Sequence, residues 1–281
     1  MGTDLLMLEH TNLNSPDAAA ETGGVKIFIF DCGIIDGITS EEFGFEAGTL
    51  STRMTTPCYL IVHPQGLLMW DTGELPDDEI ARDGQIVRKR SFVASRRLRE
   101  QLAEIGYTPE DIDLLAFSHY HNDHVANAHL FTGSTWLVQR AELDAMFDPA
   151  PDFERFGPVT PDTQYFRKLR DSDKVIIENR DHDVFGDGKV VIKFTPGHTA
   201  GHQSLFVDLD QTGPVLITGD LYHFYEEVNR EASFVNHVSN PLTSVSRRKI
   251  EAFVSQTGAD MWIPHDIRRA SQFRKSPDFY Q

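Results

Sequence analysis

Apolar residues occur along this chain in short runs that predict many β-strands. One run extends from Val25 to Phe30, a second covers 57–63 and a third covers 66–70. Their length, their β-branched and aromatic content and the glycine-rich loops between them are typical of strands. The first third of the chain is therefore predicted to be mainly β-structure.

Helical spacing appears between Ser91 and Ile105, where Val93, Leu98 and Leu102 suit one face of a helix that ends at Gly106. A strand is predicted next, over 111–117. The second half repeats this order, with predicted strands at 174–178, 189–194, 203–208 and 215–218, a helix over 242–257 and a strand at 261–263. Two β-rich halves that each close with a helix and a strand indicate two sheets sandwiched between helices.

The pattern also indicates how the chain is organised. Residues 1–24 show no sustained period, which predicts a flexible N-terminal arm. Residues 25–281 contain no linker that would separate domains, so they are predicted to form a single catalytic domain. Residues 148–170 carry four prolines and predict an irregular insertion, of the kind that often borders a site.

Charge and composition narrow the functional classes. The chain has 26 basic and 43 acidic residues, so a nucleic-acid backbone would be repelled. The basic residues at 88–90, 96, 97 and 99 are predicted to form a solvated helix face. No run of about 18 apolar residues is present, so we expect no membrane span and a cytoplasmic location. Cys32 and Cys58 are too few for a disulfide framework and are predicted to be small buried apolar side chains.

Metal-binding chemistry is concentrated in one short segment. Three imidazoles and a carboxylate, at His119, His121, Asp123 and His124, directly follow the predicted strand that ends at Phe117. In extended chain, His119 and His121 emerge on one face and can hold one ion. Asp123 and His124 follow where the chain should turn into a helix. Imidazole and carboxylate without thiolate suit zinc or another borderline divalent ion.

This segment resembles the HxHxDH signature of the metallo-β-lactamase superfamily. The sequence also carries Asp71-Thr-Gly, Thr195-Pro-Gly-His198-Thr-Ala-Gly-His202, Gly219-Asp220 and Pro264-His265-Asp266 in the order expected of that superfamily. The resemblance implies an αββα sandwich, in which two mixed β-sheets pack face to face with helices outside. It also implies a metal centre at the edge where both sheets end.

The resemblance implies two Zn²⁺ ions per chain, for which Fe, Co or Mn can substitute. It assigns them seven ligands: His119, His121 and His198 to the first ion, Asp123, His124 and His265 to the second, and Asp220 as the bridge. Asp71 would orient a ligand imidazole. His202 is expected to support the ligands rather than to bind metal, and His237 has no assigned role.

The bridging Asp220 weakens an assignment to β-lactam cleavage, because zinc β-lactamases lack that carboxylate. Three stretches, 30–37, 194–205 and 265–280, resemble the N-acyl-homoserine lactone lactonases that degrade quorum signals. That resemblance implies a small-molecule lactone substrate, ring opening by a metal-bridging hydroxide, and a homodimer. The alternatives are a broad-specificity lactonase or esterase acting on another lactone or ester, and a thioesterase or phosphodiesterase.

One position departs from the lactonase pattern. Many members have a tyrosine three residues after the bridging aspartate, where this chain has His223, with Tyr222 beside it. We expect His223, or alternatively Tyr222, to polarise the lactone carbonyl, and Asp123 to relay a proton to the leaving oxygen.

Two segments are candidates for the groove that would bind an acyl chain, and the sequence does not favour either. One is the insertion, with Phe153, Phe156, Tyr165 and Phe166, and the other is the loop around Phe43 and Phe45.

Overall fold

Two β-sheets form the centre of the computed structural model, which describes residues 23–82, 84–89, 91–147 and 163–281. The strands are β1 (Lys26–Asp36), β2 (Arg53–His63), β3 (Gly66–Trp70), β4 (Val87–Lys89), β5 (Phe92–Ala94), β6 (Leu114–Ala116), β7 (Thr135–Gln139), β8 (Lys174–Ile177), β9 (His182–Asp183), β10 (Val190–Phe194), β11 (Gln203–Leu209), β12 (Gly213–Ile217), β13 (Asp260–Trp262) and β14 (Phe279–Tyr280). The α-helices are α1 (Leu98–Glu104), α2 (Asn122–Val125), α3 (Arg140–Phe147), α4 (Thr163–Phe166), α5 (Asn240–Thr257) and α6 (Ile267–Ala270).

Both sheets are mixed. The larger has the order β4-β5-β1-β2-β3-β6-β7-β8, with β14 also paired to β1, and its β3, β6, β7 and β8 are parallel. The smaller has the order β13-β12-β11-β10-β9, and β12 and β13 are its parallel pair. Parallel strands need crossover connections, and this accounts for the helices between them.

The alternation of side chains along β1 explains why its sequence is apolar on both faces. Ile27 and Ile29 lie in the core between the two sheets, whereas Phe28 and Phe30 face the opposite side and pack with Leu98 of α1. The smaller sheet is covered in the same way by α5. A strand buried on both faces reads as a continuous apolar run. The αββα sandwich predicted from the sequence is confirmed.

The predicted helix over 91–105 is wrong in its first half. Phe92–Ala94 forms β5, because Val93 pairs with Ile34 of β1, and the helix begins only at Leu98. The Asp77 carboxylate accepts hydrogen bonds from the Leu98 and Arg99 backbone N–H groups at this helix start. Asp77 is 21 residues from Leu98 in sequence, so local periodicity does not reveal this cap.

The basic residues at 88–99 do not form one solvated helix face. Arg88 and Lys89 lie on β4, and Arg88 pairs with Asp36 at 3.0 Å. Arg96, which precedes α1, pairs with Glu104 at the end of that helix. Neighbouring acids therefore offset much of this positive charge.

Cys32 and Cys58 are buried in the apolar core, as predicted, but they are not separate side chains: they form a disulfide with a Cα separation of 5.9 Å. They lie on the antiparallel neighbours β1 and β2, where Phe30 is paired with Cys58 and the register of β1 shifts between Asp31 and Ile34. Strand pairing, which cysteine spacing does not reveal, brings them together.

The predicted N-terminal arm and the predicted insertion lie largely outside the residues that the structure describes. Residues 1–22 and most of the insertion, including Phe153 and Phe156, lie outside the described residues. At the end of the insertion, Tyr165 and Phe166 are buried in the core on the outer side of the larger sheet. Among the residues that the structure describes, none of the helices combines the length and apolarity needed to span a membrane.

A buried carboxylate connects β1 and β5. Glu74 Oε1 accepts hydrogen bonds from the backbone N–H of Ile34 and of Val93, and Oε2 has no partner within the described ranges. Gly33 must be glycine here, because its φ is 134° and a Cβ would lie 2.3 Å from Glu74 Oε1. Burial, with a further contribution from Asp123, outweighs the hydrogen bonds and raises the pKa of Glu74 to about 8.

This shift predicts a pH dependence of stability. The folded protein retains a proton on Glu74 that the unfolded chain loses near pH 4.5, so this group's contribution to the free energy of unfolding is present at low pH and lost as pH rises towards about 8. Glu74→Gln keeps one acceptor for both N–H groups but does not titrate. In urea unfolding of metal-free protein, the difference between parent and variant should change between pH 5 and about 8. A constant difference would contradict the assignment.

Candidate metal centre and pocket

The motif of three histidines and an aspartate lies where β6 ends and α2 begins. His119 and His121 lie in the bent segment between β6 and α2, and Asp123 and His124 lie within α2. This is the turn into a helix that the sequence predicts. The short helix directs the second pair of side chains to a different position from the first pair.

Three other segments meet this motif at the same edge of the sandwich. His198 lies in the turn between β10 and β11, Asp220 follows β12 in the short 3-10 helix Gly219–Leu221, and His265 follows β13. Gly197 allows the close approach of the first segment, because a Cβ there would lie 2.3 Å from the Thr243 backbone nitrogen. Strand ends from both sheets therefore converge on one cluster.

The seven predicted ligands fall into two groups that share Asp220. Group A is His119, His121 and His198 with Asp220, and group B is Asp123, His124 and His265 with Asp220. In group A, His198 Nε2 lies 3.2 Å from Asp220 Oδ2 and 3.0 Å from His121 Nδ1. In group B, His124 Nε2 and His265 Nε2 lie 3.1 and 3.0 Å from Asp220 Oδ1. One carboxylate thus presents one oxygen to each group.

These spacings fit metal ions. Two ligand atoms about 2.1 Å from a tetrahedral ion lie about 3.4 Å apart, which is close to the separations within each group. His124 Nε2, His265 Nε2 and Asp220 Oδ1 are buried without a hydrogen-bond partner among the described residues. Buried polar atoms without partners are costly unless a bound group satisfies them. The donor set of imidazoles and carboxylates is the one that zinc accepts.

The protonation of His119, His198 and Asp220 also fits metal binding. Burial, reinforced by neighbouring histidines, holds the pKa of His119 well below its usual range, and burial does the same for His198. Burial alone would raise the pKa of Asp220, but His265 and His119 hold it well below its usual range. Neutral imidazoles and an ionised carboxylate are the forms that bind metals. At His124, burial alone would lower the pKa, but Asp123, Asp220 and Asp71 raise it well above its usual range, so a metal would have to displace that proton.

Two ligand imidazoles, His124 and His265, have hydrogen-bond partners outside the cluster. His124 Nδ1 lies 3.0 Å from Asp71 Oδ2, and His265 Nδ1 lies 2.7 Å from the backbone oxygen of Thr55. Asp71 has a φ of 59° and also accepts the backbone N–H of Ser118 at 2.7 Å. It therefore ties its turn directly to the ligand segment, in the supporting position that the resemblance implied.

His237, for which sequence reasoning found no role, contacts a ligand. Its Nδ1 lies 2.9 Å from His198 Nδ1, and its side chain is buried. If His198 binds metal through Nε2, its Nδ1 carries the proton and donates it to His237. No motif surrounds His237 in the sequence, because it lies 39 residues away and reaches His198 only through the loop before α5.

His202 supports the cluster without belonging to either group. Its Nδ1 donates to the Thr195 backbone oxygen at 3.0 Å, and its Nε2 accepts the Asp220 backbone N–H at 3.0 Å. Burial lowers its pKa to about 3, so the ring is neutral and can accept this bond. The supporting role expected from the sequence agrees with these contacts, although the chain here forms a turn and not a helix.

His223 faces the cluster from the pocket side. Its Nε2 lies 3.2 Å from Asp220 Oδ2, and its Nδ1 lies 3.5 Å from Glu227 Oε2. Glu227 is itself held by Arg247 at 2.6 Å and by the His223 backbone N–H. Burial alone would lower the pKa of His223, but Asp220 and Glu227 raise it to about 9. In the protonated ring, Nε2 carries a hydrogen that it can donate.

The prediction that Tyr222 could polarise the substrate is wrong for this structure. Its hydroxyl donates to Glu251 Oε1 at 2.8 Å, and Arg247 stacks on its ring. Tyr222 belongs to the core between the smaller sheet and α5. The backbone is extended at Tyr222, so this residue and His223 point to opposite sides.

A pocket opens onto the cluster. His121, Asp123, His198, Asp220, His223 and His265 line its inner end, together with Asn122. The remaining wall is mainly apolar, with Ile35, Ile38, Phe43, Met54, Phe92 and Phe234, and it also includes the polar residues Glu42 and Asn236. Of the two grooves considered from the sequence, the loop with Phe43 borders this pocket. Phe45 lies instead beneath the Arg230 guanidinium, and Tyr165 and Phe166 are in the core.

Comparison with known proteins agrees with this geometry. The family model of the metallo-beta-lactamase superfamily matches residues 51–261. N-acyl homoserine lactonase AttM of Rhizobium johnstonii is 30% identical over 244 residues, which covers 81% of this chain and 88% of the relative. N-acyl homoserine lactonase AiiA of Bacillus thuringiensis subsp. kurstaki is 27% identical over 231 residues, covering 79% and 85%.

Solved structures show the same fold. The crystal structure of a quorum-quenching N-acyl homoserine lactone lactonase has a TM-score of 0.72 and 25% identity, and the match covers 90% of this chain and 97% of that one. An N-acyl homoserine lactone hydrolase with its product N-hexanoyl-L-homoserine bound at the catalytic metal centre also has a TM-score of 0.72, at 24% identity.

The contact between His237 and His198 can be tested by metal binding. His237→Leu removes the acceptor for His198 Nδ1, so we expect the affinity for Zn²⁺ to fall about 10- to 100-fold. His237→Asn, which places an oxygen near the lost nitrogen, should retain most of the affinity. The measurement is competition of metal-free protein with a chromophoric chelator. Equal affinities of parent and His237→Leu would exclude the role.

Proposed function

The chain belongs to the metallo-beta-lactamase superfamily, and we propose that it is a metal-dependent hydrolase that opens the ring of N-acyl homoserine lactones, as in quorum quenching. The observation that carries this proposal is the pocket, which has the bridged cluster at one end and an apolar wall along the rest. A polar lactone head and an apolar acyl chain match these two parts. Relatives named as lactonases over 81% of the chain support the same substrate class.

We propose that groups A and B each hold one Zn²⁺, with Fe, Co or Mn able to substitute. When bound, such ions act as Lewis acids and lower the pKa of water so that hydroxide is available at neutral pH. This supplies the nucleophile for ester hydrolysis. The other requirements of the reaction fall on side chains of this chain.

His223 is positioned to stabilise the developing oxyanion. Its Nε2 faces Asp220 and the pocket, and its ring packs against the stacked rings of Phe43, at 4.9 Å, and Phe234, at 4.4 Å. These contacts and the Glu227–Arg247 pair behind His223 restrict the orientation of the ring. A donor that is already oriented stabilises negative charge without reorganisation during the reaction.

Asp123 is the carboxylate available for proton transfer. It lines the pocket and its side chain is 15% exposed, whereas that of Asp220 is 5% exposed and lies between the two groups. Burial alone would raise its pKa, but His124 and His265 lower it to about 2, so Asp123 begins the reaction ionised. It can accept the proton of the attacking water and pass it to the leaving ring oxygen, which yields the open hydroxy acid.

The cytoplasmic location and the homodimer are part of the proposal and rest on the sequence. A cytoplasmic location bears on the disulfide, because cellular reductants keep most cysteine pairs reduced there. Free thiols at Cys32 and Cys58 in protein isolated from cells would support this location, whereas the disulfide that the structure contains would argue against it.

The substrate class is tested by proton release in a pH-stat. We expect the metal-loaded protein to open homoserine lactones that carry apolar acyl chains faster than it cleaves an aryl ester, a thioester, a phosphodiester or a β-lactam. Removal of metal with a chelator should abolish turnover, and added Zn²⁺ should restore it. Fully metallated protein that cleaves another substrate but opens no lactone would exclude the proposed function.

The role of His223 is tested by a set of three variants. His223→Ala removes the donor and should lower kcat on a lactone by about 10²-fold. His223→Gln keeps an N–H near the same place and should recover part of the loss. Tyr222→Phe, which loses only the bond to Glu251, should leave kcat within about threefold and cost about 1 kcal/mol of stability. Unchanged lactone turnover in His223→Ala would remove this residue from the reaction.

A further inference from the structure

A buried carboxylate outside the metal cluster contacts two of the segments that carry it. Glu142 lies in the first turn of α3 and its side chain is 4% exposed. Its Oε1 accepts the backbone N–H of Tyr120 at 2.8 Å, and its Oε2 accepts the backbone N–H of Gly201 at 2.8 Å. The hydroxyl of Thr199 donates to both oxygens, at 2.9 and 2.8 Å.

The three donors belong to the segments that supply group A. Tyr120 lies between the ligands His119 and His121, and Thr199 directly follows the ligand His198. These segments are about 80 residues apart in sequence and come from different sheets. Glu142 is therefore a common acceptor for the backbone on both sides of group A. Among the described residues, none of its donors lies in α2, which carries Asp123 and His124, or in the turn that carries His265.

Ion pairing does not explain how the buried carboxylate of Glu142 is stabilised. Within the described ranges, Glu142 has no lysine, arginine or histidine within salt-bridge distance. Burial raises the pKa of Glu142 to about 7, although the hydrogen bonds from Thr199, Gly201 and Tyr120 act against this rise. A buried carboxylate in this situation needs all of its donors. Loop 199–201 also approaches α3 too closely for a side chain, because a Cβ on Gly201 would lie 2.3 Å from the Glu142 backbone nitrogen.

We propose that Glu142 is a positioning residue for group A, which sets the separation between the His119–His121 segment and His198 that a single metal ion requires. The inference rests on the proposed metal centre and not on the identity of the substrate. Group B is held differently, by Asp71 behind His124 and by the backbone of Thr55 behind His265. Loss of Glu142 should therefore weaken one of the two metal sites selectively.

Stepwise metal binding tests the proposal. Glu142→Gln preserves the shape of the side chain, but its amide nitrogen cannot accept, so one backbone N–H loses its partner. In calorimetric titration of metal-free protein with Zn²⁺, we expect one of the two binding steps to weaken about 10- to 100-fold while the other stays within about threefold of the parent. Thr199→Val removes only the hydroxyl donor and should weaken the same step by less.

Reference variants identify the weakened step. His121→Ala removes a ligand of group A and His265→Ala removes one of group B, so the step weakened in Glu142→Gln should be the one lost in His121→Ala. Asp144→Asn is the matched control, because it removes a charge from an exposed side chain of the same helix and should change neither step.

If Glu142 had only a structural role, Glu142→Gln would weaken both binding steps equally and would lower the Tm of the metal-free protein. That result, or two unchanged binding steps, would overturn the proposal. Neither result depends on whether lactones are the substrate.

Discussion

The carboxylate of Asp220 is the interaction on which the rest of this site depends. Its two oxygens face different groups of imidazoles, with Oδ2 towards His198 and Oδ1 towards His124 and His265. Six other buried or half-buried ligand side chains surround it, namely five imidazoles and the carboxylate of Asp123. Asp220 is the one ligand that both groups share, so its negative charge is the common acceptor for imidazoles from both sheets.

Because the cluster is assembled from four segments, its geometry depends on how each segment is anchored. The anchors differ in kind. A carboxylate holds His124, a backbone carbonyl holds His265, and another imidazole holds His198. Such outer contacts fix ring orientation and tune the basicity of the ligand. The two groups of ligands are therefore held by different contacts, although they share the Asp220 carboxylate.

The pocket has a polar end at the cluster and a mainly apolar wall. The cluster forms its inner end, His223 stands beside it, and apolar side chains from β1, β2, β5 and the loops near Phe43 and Phe234 form its wall. An N-acyl lactone has the same polarity pattern, with an ester at one end and a hydrocarbon chain at the other. Tyr222, although adjacent in sequence to His223, contributes to the core instead and holds α5 against the smaller sheet.

The sequence by itself determined the sandwich and the set of candidate ligands. Strand periodicity and motifs such as His119–His124 are local patterns, so they can be recognised without knowing which residues are neighbours in the folded protein. Only the tertiary structure decided the contacts between distant segments: the strand at Phe92–Ala94, the Cys32–Cys58 disulfide, and the roles of His237 and Glu142. The physical reason is the same in each case. Strand pairing and buried hydrogen bonds join residues that are tens of positions apart in sequence, and the local spacing of residues does not reveal such partners.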